Sequence, residues 1–300
     1  MKEQFLWVEK WRPQTIDDCI LPDELKNTFT TLRDKGEIIN MLLCGTAGTG
    51  KTTVARALCE ELGSDYIIIN GSETRGIDMV RSQVQSFAGT MSTNGKTKVV
   101  ILDEADYITP EAQAALRNLI EAFSKNCRFI MTCNFKSKII APLHSRCAVI
   151  DFSFDKSVLP QLQAQMAKRT FSILGSEGVE FEKGAVLEVI KKFTPDNRRI
   201  LNELQRYANI SGKIDSGMIS VLDTSKIKTF VNLIKKGDFK ACRQWIADNP
   251  DPDSLFSELY DNLNEYVDPS SIPNLILIMG EYQMRAAHVV NQEINLAAFV

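Results

Sequence analysis

Apolar and polar positions follow two different rhythms along the first half of the chain. Short apolar runs at Ile39–Cys44, Tyr66–Ile69, Val99–Leu102, Arg128–Cys133 and Val149–Phe152 read as strands. Between them, Thr52–Leu62, Ile77–Thr90 and Pro110–Phe123 carry the 3.6-residue period of amphipathic helices. Strands alternating with helices predict a parallel sheet covered on both faces, an α/β domain over residues 1–152. The rhythm then changes. Residues 153–222 show only helical patterns, at Pro160–Leu174, Phe181–Lys192 and Pro195–Ile210, and predict a small all-α domain. In the middle stretch Phe181, Val186, Leu187 and Ile190 are expected on one face. Residues 223–300 are helical again, broken at Gly237-Asp238, at Asp248–Asp253 and at Asp268-Pro269, and predict a second all-α domain suited to packing against other subunits. Asn295–Val300 is apolar and carries no helix-stopping residue, so its helix is expected to run on.

With 44% hydrophobic and 24% charged residues among 300, the chain has an ordinary globular composition, which excludes a disordered or collagen-like protein. A net charge of −3, split as −1, +2 and −4 over the three segments, excludes a surface that is basic all over. Contact with nucleic acid would need a local cluster. Seven cysteines, an odd number with no CxxC pair, argue against a disulfide framework and a zinc ribbon. They read as buried free thiols in a reducing cytoplasm. The N-terminus has no apolar signal region, and no apolar run approaches the ~20 residues a membrane span needs.

The segment Gly45-Thr46-Ala47-Gly48-Thr49-Gly50-Lys51-Thr52 fits GxxxxGK[ST] and lies between a predicted strand and a predicted helix, the context this phosphate-binding loop requires. Glycines let backbone N–H groups wrap phosphates, and the helix N-terminus adds partial positive charge. Gly48, Thr49, Gly50, Lys51, Thr52 and Thr53 are the expected ATP-binding positions, with Lys51 on the β/γ-phosphates and the Thr52 hydroxyl on Mg²⁺. Val99–Leu102 is a buried central strand that ends in Asp103-Glu104. Ligands of parallel sheets sit at such strand ends, so Asp103 is expected to hold Mg²⁺ and Glu104 to polarise the attacking water. The sequence Asp103-Glu104-Ala105-Asp106 also spells a helicase box, but no second nucleotide domain and no Ser-Ala-Thr triplet accompany it. A further strand ends in Asn134, which could orient the lytic water if that strand lies between the phosphate-loop and acidic strands.

Several segments resemble the sliding-clamp-loader ATPases of the AAA+ superfamily. Ser145-Arg146-Cys147 matches their Ser-Arg-Cys triplet, and Glu9-Lys10-Trp11-Arg12-Pro13 is similar to their Glu-Lys-Tyr-Arg-Pro motif. Asn70–Asp78 resembles their Asn-Ala-Ser-Asp-x-Arg-Gly-Ile segment, Ala115–Glu121 their Ala-Leu-Arg-Arg-x-x-Glu helix, and Pro195–Arg199 the start of their sensor-2 helix. Cys19-Ile20-Leu21-Pro22 and the compact size are most similar to the large subunit of T-even-type bacteriophage loaders. The resemblance is dense over residues 1–210 and thin beyond 223. Trp11 stands for the usual Tyr, Gly71 for Ala and Asn118 for the second Arg.

The resemblance implies a RecA-like nucleotide domain, a helical lid and a helical collar. It implies ATP and Mg²⁺ as cofactors, and Arg146 as an arginine finger acting in trans on a neighbouring copy. Arg198, or its neighbour Arg199, would touch the phosphates from the lid. Val8, Glu9, Lys10, Trp11, Arg12 and Ile20 would frame the adenine, and Gln113 would couple the DNA-facing surface to the ATP site. Arg75, Gly76 and Arg81 would meet DNA phosphates, with Arg75 a possible restraint on Glu104. Lys136 and Lys138 read as solvated charges. Phe87 and Met91 would meet the clamp, and Val84 reads rather as core. The implied function is to open a ring-shaped sliding clamp and place it on primer–template DNA, with hydrolysis triggering release. The implied partners are the clamp, primer–template DNA, copies of the chain and a smaller non-ATPase subunit. The implied location is the cytoplasm, that of a host cell if the chain is phage-encoded. The rival readings are a branch-migration motor or initiator of the same superfamily, and a non-hydrolysing scaffold subunit.

Overall fold

Five strands pair in parallel to form the sheet of the first unit. The computed structural model describes residues 5–74, 76–90, 92, 95–218, 225–249, 252–286 and 288–300. In chain order the first elements are α1 (Trp7–Lys10), α2 (Asp23–Lys35), β1 (Met41–Cys44), α3 (Lys51–Leu62), β2 (Tyr66–Asn70), α4 (Ile77–Ala88) and β3 (Lys98–Asp103). They are followed by α5 (Pro110–Ala122), β4 (Cys127–Cys133), α6 (Ala141–His144) and β5 (Ala148–Asp151). The strand order is β2-β3-β4-β1-β5, so β4 lies between the phosphate-loop strand and the acidic strand.

The two-residue period of the strands sorts the core into two faces. Leu42, Cys44, Val100, Leu102, Phe129, Met131 and Cys133 pack against α4, α5 and α6. Met41, Leu43, Val99, Ile101 and Ile130 pack against α2 and α3. Strands buried on both faces read as continuous apolar runs, which is why the sequence pattern marks them. Helix α2 escapes that pattern because only Phe29 of its thirteen residues is buried. Val84, on the inner face of α4, is fully buried, which makes it core, as its spacing suggests.

The lid elements are α7 (Leu159–Ser176), β6 (Glu180–Phe181), α8 (Lys183–Phe193), α9 (Asn197–Ser211) and β7 (Lys213–Ile214). Two details differ from the sequence expectation. Phe181 belongs to β6, which pairs with β7, and its ring stacks on Phe171 with centroids 5.4 Å apart. Because α8 starts only at Lys183, its buried stripe is Ala185, Val186, Val189 and Ile190, and Leu187 is left exposed. The lid packs with the sheet in one compact unit that ends at residue 219. The side chain of Gln165 exchanges hydrogen bonds with both backbone groups of Leu21, and that of Gln205 accepts from Trp7 N and donates to Phe5 O.

The second unit holds α10 (Ser225–Lys236), α11 (Phe239–Asp248), α12 (Pro252–Asp261), α13 (Leu263–Tyr266), α14 (Ile272–Ala286) and α15 (Gln292–Phe299). It has its own core, in which Phe230 stacks on Trp245 at 4.3 Å and Phe256 meets the edge of Phe299 at 5.1 Å. All seven cysteines are free and buried. Among the described residues no helix is long and apolar enough to cross a membrane.

Phe129, on the central strand β4, has no solvent exposure. Phe129→Ala should cost about 3–5 kcal/mol. A urea titration should show a lower midpoint with an unchanged slope.

Candidate active site

The C-terminal ends of β1, β3 and β4 meet, and they carry the loop after Cys44, Asp103-Glu104 and Asn134 respectively. Lys51, the first residue of α3, is buried at the centre. Its ammonium donates to Gly45 O at 2.8 Å, Thr46 O at 2.7 Å and Asn134 Oδ1 at 3.0 Å. Burial lowers its pKa from the usual lysine value, against the pull of nearby acidic groups that include Asp103. The loop turns through Gly48, whose φ of +76° suits glycine. A Cβ there would also run into the Asp196 carboxylate of the lid, and Gly48 O accepts from Asn197 N at 3.0 Å.

Asp103 Oδ1 accepts from the hydroxyls of Thr52 and Thr132, both at 2.6 Å. The Thr132 hydroxyl in turn accepts from Glu104 N at 3.1 Å. Glu104 itself lies in the left-handed region at φ +54°. Its carbonyl fills the space that a Cβ on residue 71 would need, with Ile108 Cγ1 only 2.9 Å from that position. Gly71 therefore goes with this backbone turn at the acidic pair. Asp106 Oδ2 accepts from Asn134 N at 3.3 Å and Phe135 N at 3.2 Å, which fixes the backbone that presents Asn134.

One cavity joins these groups to the N-terminal segment and the lid. Val8, Trp11, Arg12 and Ile20 line it, as do Gly48, Gly50, Lys51, Thr52 and Thr53. Asp103, Glu104, Asn134 and Arg198 line it too. Arg199 is turned away, with its guanidinium over the Phe193 ring at 4.5 Å. The lid adds Met166, Arg169 and Leu201, which the sequence reading missed. Arg169 donates to Trp11 O at 2.7 Å, and Glu177 accepts from the Trp11 indole at 2.5 Å. An apolar pocket around Trp11 and a polar end around Lys51 suit a base and its phosphates respectively. The paired oxygens of Thr52 and Asp103 are hard donors of the type Mg²⁺ takes.

Three expected positions do not present side chains to this cavity. Glu9 pairs with the Arg12 guanidinium at 2.5 Å, and Lys10 pairs with Glu177 at 2.8 Å, both at the surface. The Thr49 hydroxyl donates back into its own loop, to Thr46 O at 2.9 Å. Arg146 is also absent from the lining. Its Nε donates to Glu121 Oε1 at 2.8 Å, and the guanidinium beside Glu121 holds that carboxyl below its usual range.

Gln113 is buried and bridges two strand exits. Its amide donates to Ile108 O at 3.0 Å and Lys138 O at 3.1 Å, and its oxygen accepts from Ile140 N at 2.9 Å. Gly76 precedes the first turn of α4, and Arg81 is exposed on that helix. Phe87 is half-buried under the Lys98 ammonium, which lies 4.7 Å from its ring. Lys136 and Lys138 are exposed. Arg75 and Met91 lie outside the described residues.

Two families match the chain. The ATPase family associated with various cellular activities (AAA) matches residues 41–154, and the sliding-clamp-loader large subunit AAA+ ATPase lid domain matches 160–220. The sliding-clamp-loader large subunit of Enterobacteria phage T4 is 35% identical, over 99% of this chain and 94% of the relative. The chain belongs to the sliding-clamp-loader family of AAA ATPases. The sliding-clamp-loader large subunit of Escherichia phage RB69 is 36% identical over 91% of this chain and 87% of the relative. The replication factor C small subunit of Archaeoglobus fulgidus is 33% identical over 98% and 96%. Among solved structures, the RuvB Holliday junction branch migration motor of Thermotoga maritima is similar at a TM-score of 0.57. With 19% identity over 88% of this chain and 91% of that one, it shares the fold alone. Membership of this ATPase family fits the loop, acidic pair and Asn134 that the sheet brings together.

Thr132→Val keeps the side-chain shape but removes the hydroxyl that joins Asp103 to the Glu104 backbone. Leaving the Glu104 N–H without its partner should cost about 1–3 kcal/mol. Calorimetric unfolding of the variant without nucleotide checks this.

Proposed function

We propose that this chain is the ATPase subunit of a clamp loader. In this reading it opens a ring-shaped sliding clamp and delivers it to primer–template DNA, and hydrolysis releases the loader. One observation carries the reading: the cavity holds a complete set of cis groups, while Arg146 is held outside it by Glu121. Such a site gains its last cation from a neighbour.

The chain's own residues divide the work. The adenine sits against Val8, Trp11 and Ile20, which line the cavity. The backbone of Gly48–Lys51 and the Lys51 ammonium take the phosphates, and phosphate oxygens replace the loop carbonyls that now accept from Lys51. Thr52 and Asp103 would hold Mg²⁺, which neutralises charge on the phosphates. Glu104 polarises the attacking water, and Asn134, released by Lys51, orients it. Arg198 reads the nucleotide from the lid, so phosphate loss is felt as lid movement. Arg146 of the neighbouring copy meets the γ-phosphate. Its hold on Glu121 is a half-exposed ion pair, screened by solvent and weak. A finger is worth ~10³–10⁵ in rate, so the cis pair does not prevent its transfer.

The start of α4, with Gly76, Arg81 and Arg75, is the proposed phosphate-backbone contact for DNA. Repeated around a ring of subunits, it reads duplex shape and is salt-sensitive. Phe87, near the end of α4, and Met91, three residues beyond that helix in the sequence, are the proposed clamp contact. Gln113 links the exits of β3 and β4 and so relays DNA contact to Glu104 and Asn134. The collar, residues 223–300, joins copies of the chain and a smaller non-ATPase subunit. The sequence kinship with clamp loaders favours this client over the branch-migration reading, which shares only a fold.

Steady-state ATP hydrolysis of wild type and Arg146→Gln, assembled with the partner subunit and clamp, tests this. Primer–template DNA should stimulate wild type. Arg146→Gln should lower turnover by ~10³-fold or more while ATP still binds. Turnover that ignores both DNA and Arg146 would sink the proposal.

A further inference from the structure

Two thiols lie side by side beneath the phosphate loop. Cys44 is the last residue of β1 and Cys133 the last of β4, and the two are partners in the parallel register. Their sulfurs are 3.3 Å apart, with the Cys133 S–H directed at Cys44. Neighbouring strands are ~4.8 Å apart, within the ~4.4–6.8 Å Cα separation a disulfide accepts. The residues that follow are Gly45, which opens the loop, and Asn134. Both thiols are buried, but Cys133 lines the cavity, and it is there that a small solute would meet the pair.

We infer that Cys44 and Cys133 form an oxidative modification site, at which a peroxide joins the two sulfurs and stops nucleotide turnover. The inference rests on the nucleotide-site reading above. One thiolate attacks the peroxide, forming S–O as O–O breaks, and the departing hydroxide takes a proton. The second sulfur then displaces water from the sulfenic acid. In sum, two thiols and one hydrogen peroxide give one disulfide and two waters. The environment favours the first step. The hydrogen bond from Cys133 lowers the Cys44 thiol from its usual pKa, opposed by burial and assisted by Lys136 and Lys51.

Closing the sulfurs from 3.3 Å to ~2.05 Å moves the ends of both strands. That motion falls on a tight set of bonds. Gly45 N donates to Cys133 O at 3.2 Å, and Lys51 grips both Gly45 O and Asn134 Oδ1. A displacement of ~1 Å at reacting groups costs up to ~10²-fold in rate. A nucleotide in the cavity covers Cys133 and should protect the pair.

The test exposes the full chain, assembled with its partner subunit, to hydrogen peroxide. Non-reducing peptide mapping should find a Cys44–Cys133 crosslink. Turnover should fall roughly tenfold or more in step with it. Dithiothreitol should restore activity, and bound nucleotide should slow both changes. Cys44→Ala, rated against its own untreated turnover, should resist the same exposure. No crosslink, a crosslink without loss of turnover, or equal sensitivity in Cys44→Ala would overturn the inference. The mapping needs no activity. A crosslink in an assembly that never hydrolyses ATP would overturn the functional reading instead.

Discussion

A buried ammonium ion needs an oxygen at each of its hydrogens. Lys51 meets that demand with two carbonyls from its own loop and one amide oxygen from the end of β4. Taking an ion out of water costs several kcal/mol, on the order of what the whole fold retains. The third acceptor is within reach only because β4 lies directly beside β1. The same insertion brings Thr132 to Asp103 and Glu104, so the order of the strands and the chemistry of the site answer one constraint. A phosphate that enters does not find a bare cation. It exchanges for contacts already made, and the net gain is smaller than the contact itself suggests.

One chain brings most of the candidate groups together and leaves one of them aside. The loop, the acidic pair, Asn134 and Arg198 converge in cis, whereas Arg146 rests on Glu121 outside the cavity. A fold shared with a branch-migration motor at 19% identity does not decide the client. What sets this chain apart is carried by local segments: Ser145-Arg146-Cys147, the N-terminal Trp11 segment, and the lid matched over residues 160–220.

Most of the sheet and the heart of the site could be read from the sequence, for different reasons. The central strands show because burial on both faces leaves unbroken apolar runs. The phosphate loop shows because its residues are contiguous. Thr132 does not stand out in the sequence, because its bonds to Asp103 and Glu104 join two neighbouring strands that only the sheet order brings together. Met166, Arg169 and Glu177 were invisible for the same reason, since they reach the cavity and Trp11 from a lid more than 140 residues away. Glu9 and Lys10 erred in the opposite sense. Their segment is where the resemblance puts it, but on the short helix α1 both side chains point to ion-pair partners, Arg12 and Glu177, and not into the cavity. Phe181 and Leu187 were misassigned because periodicity fixes the stripe of a helix only once its first residue is known.

Strand β2 closes one side of the sheet, and this has a consequence for the chain in concentrated solution. Tyr66–Asn70 reads Tyr-Ile-Ile-Ile-Asn, uncharged and free of proline, with Ile68 41% exposed. Among the described residues no strand pairs with its outer side, and an edge of that composition is a template on which identical segments stack. Its length of five residues and the acids at Asp65 and Glu73 limit that growth. Self-association into fibres, should it begin, has its natural seed at this edge and not at the cavity.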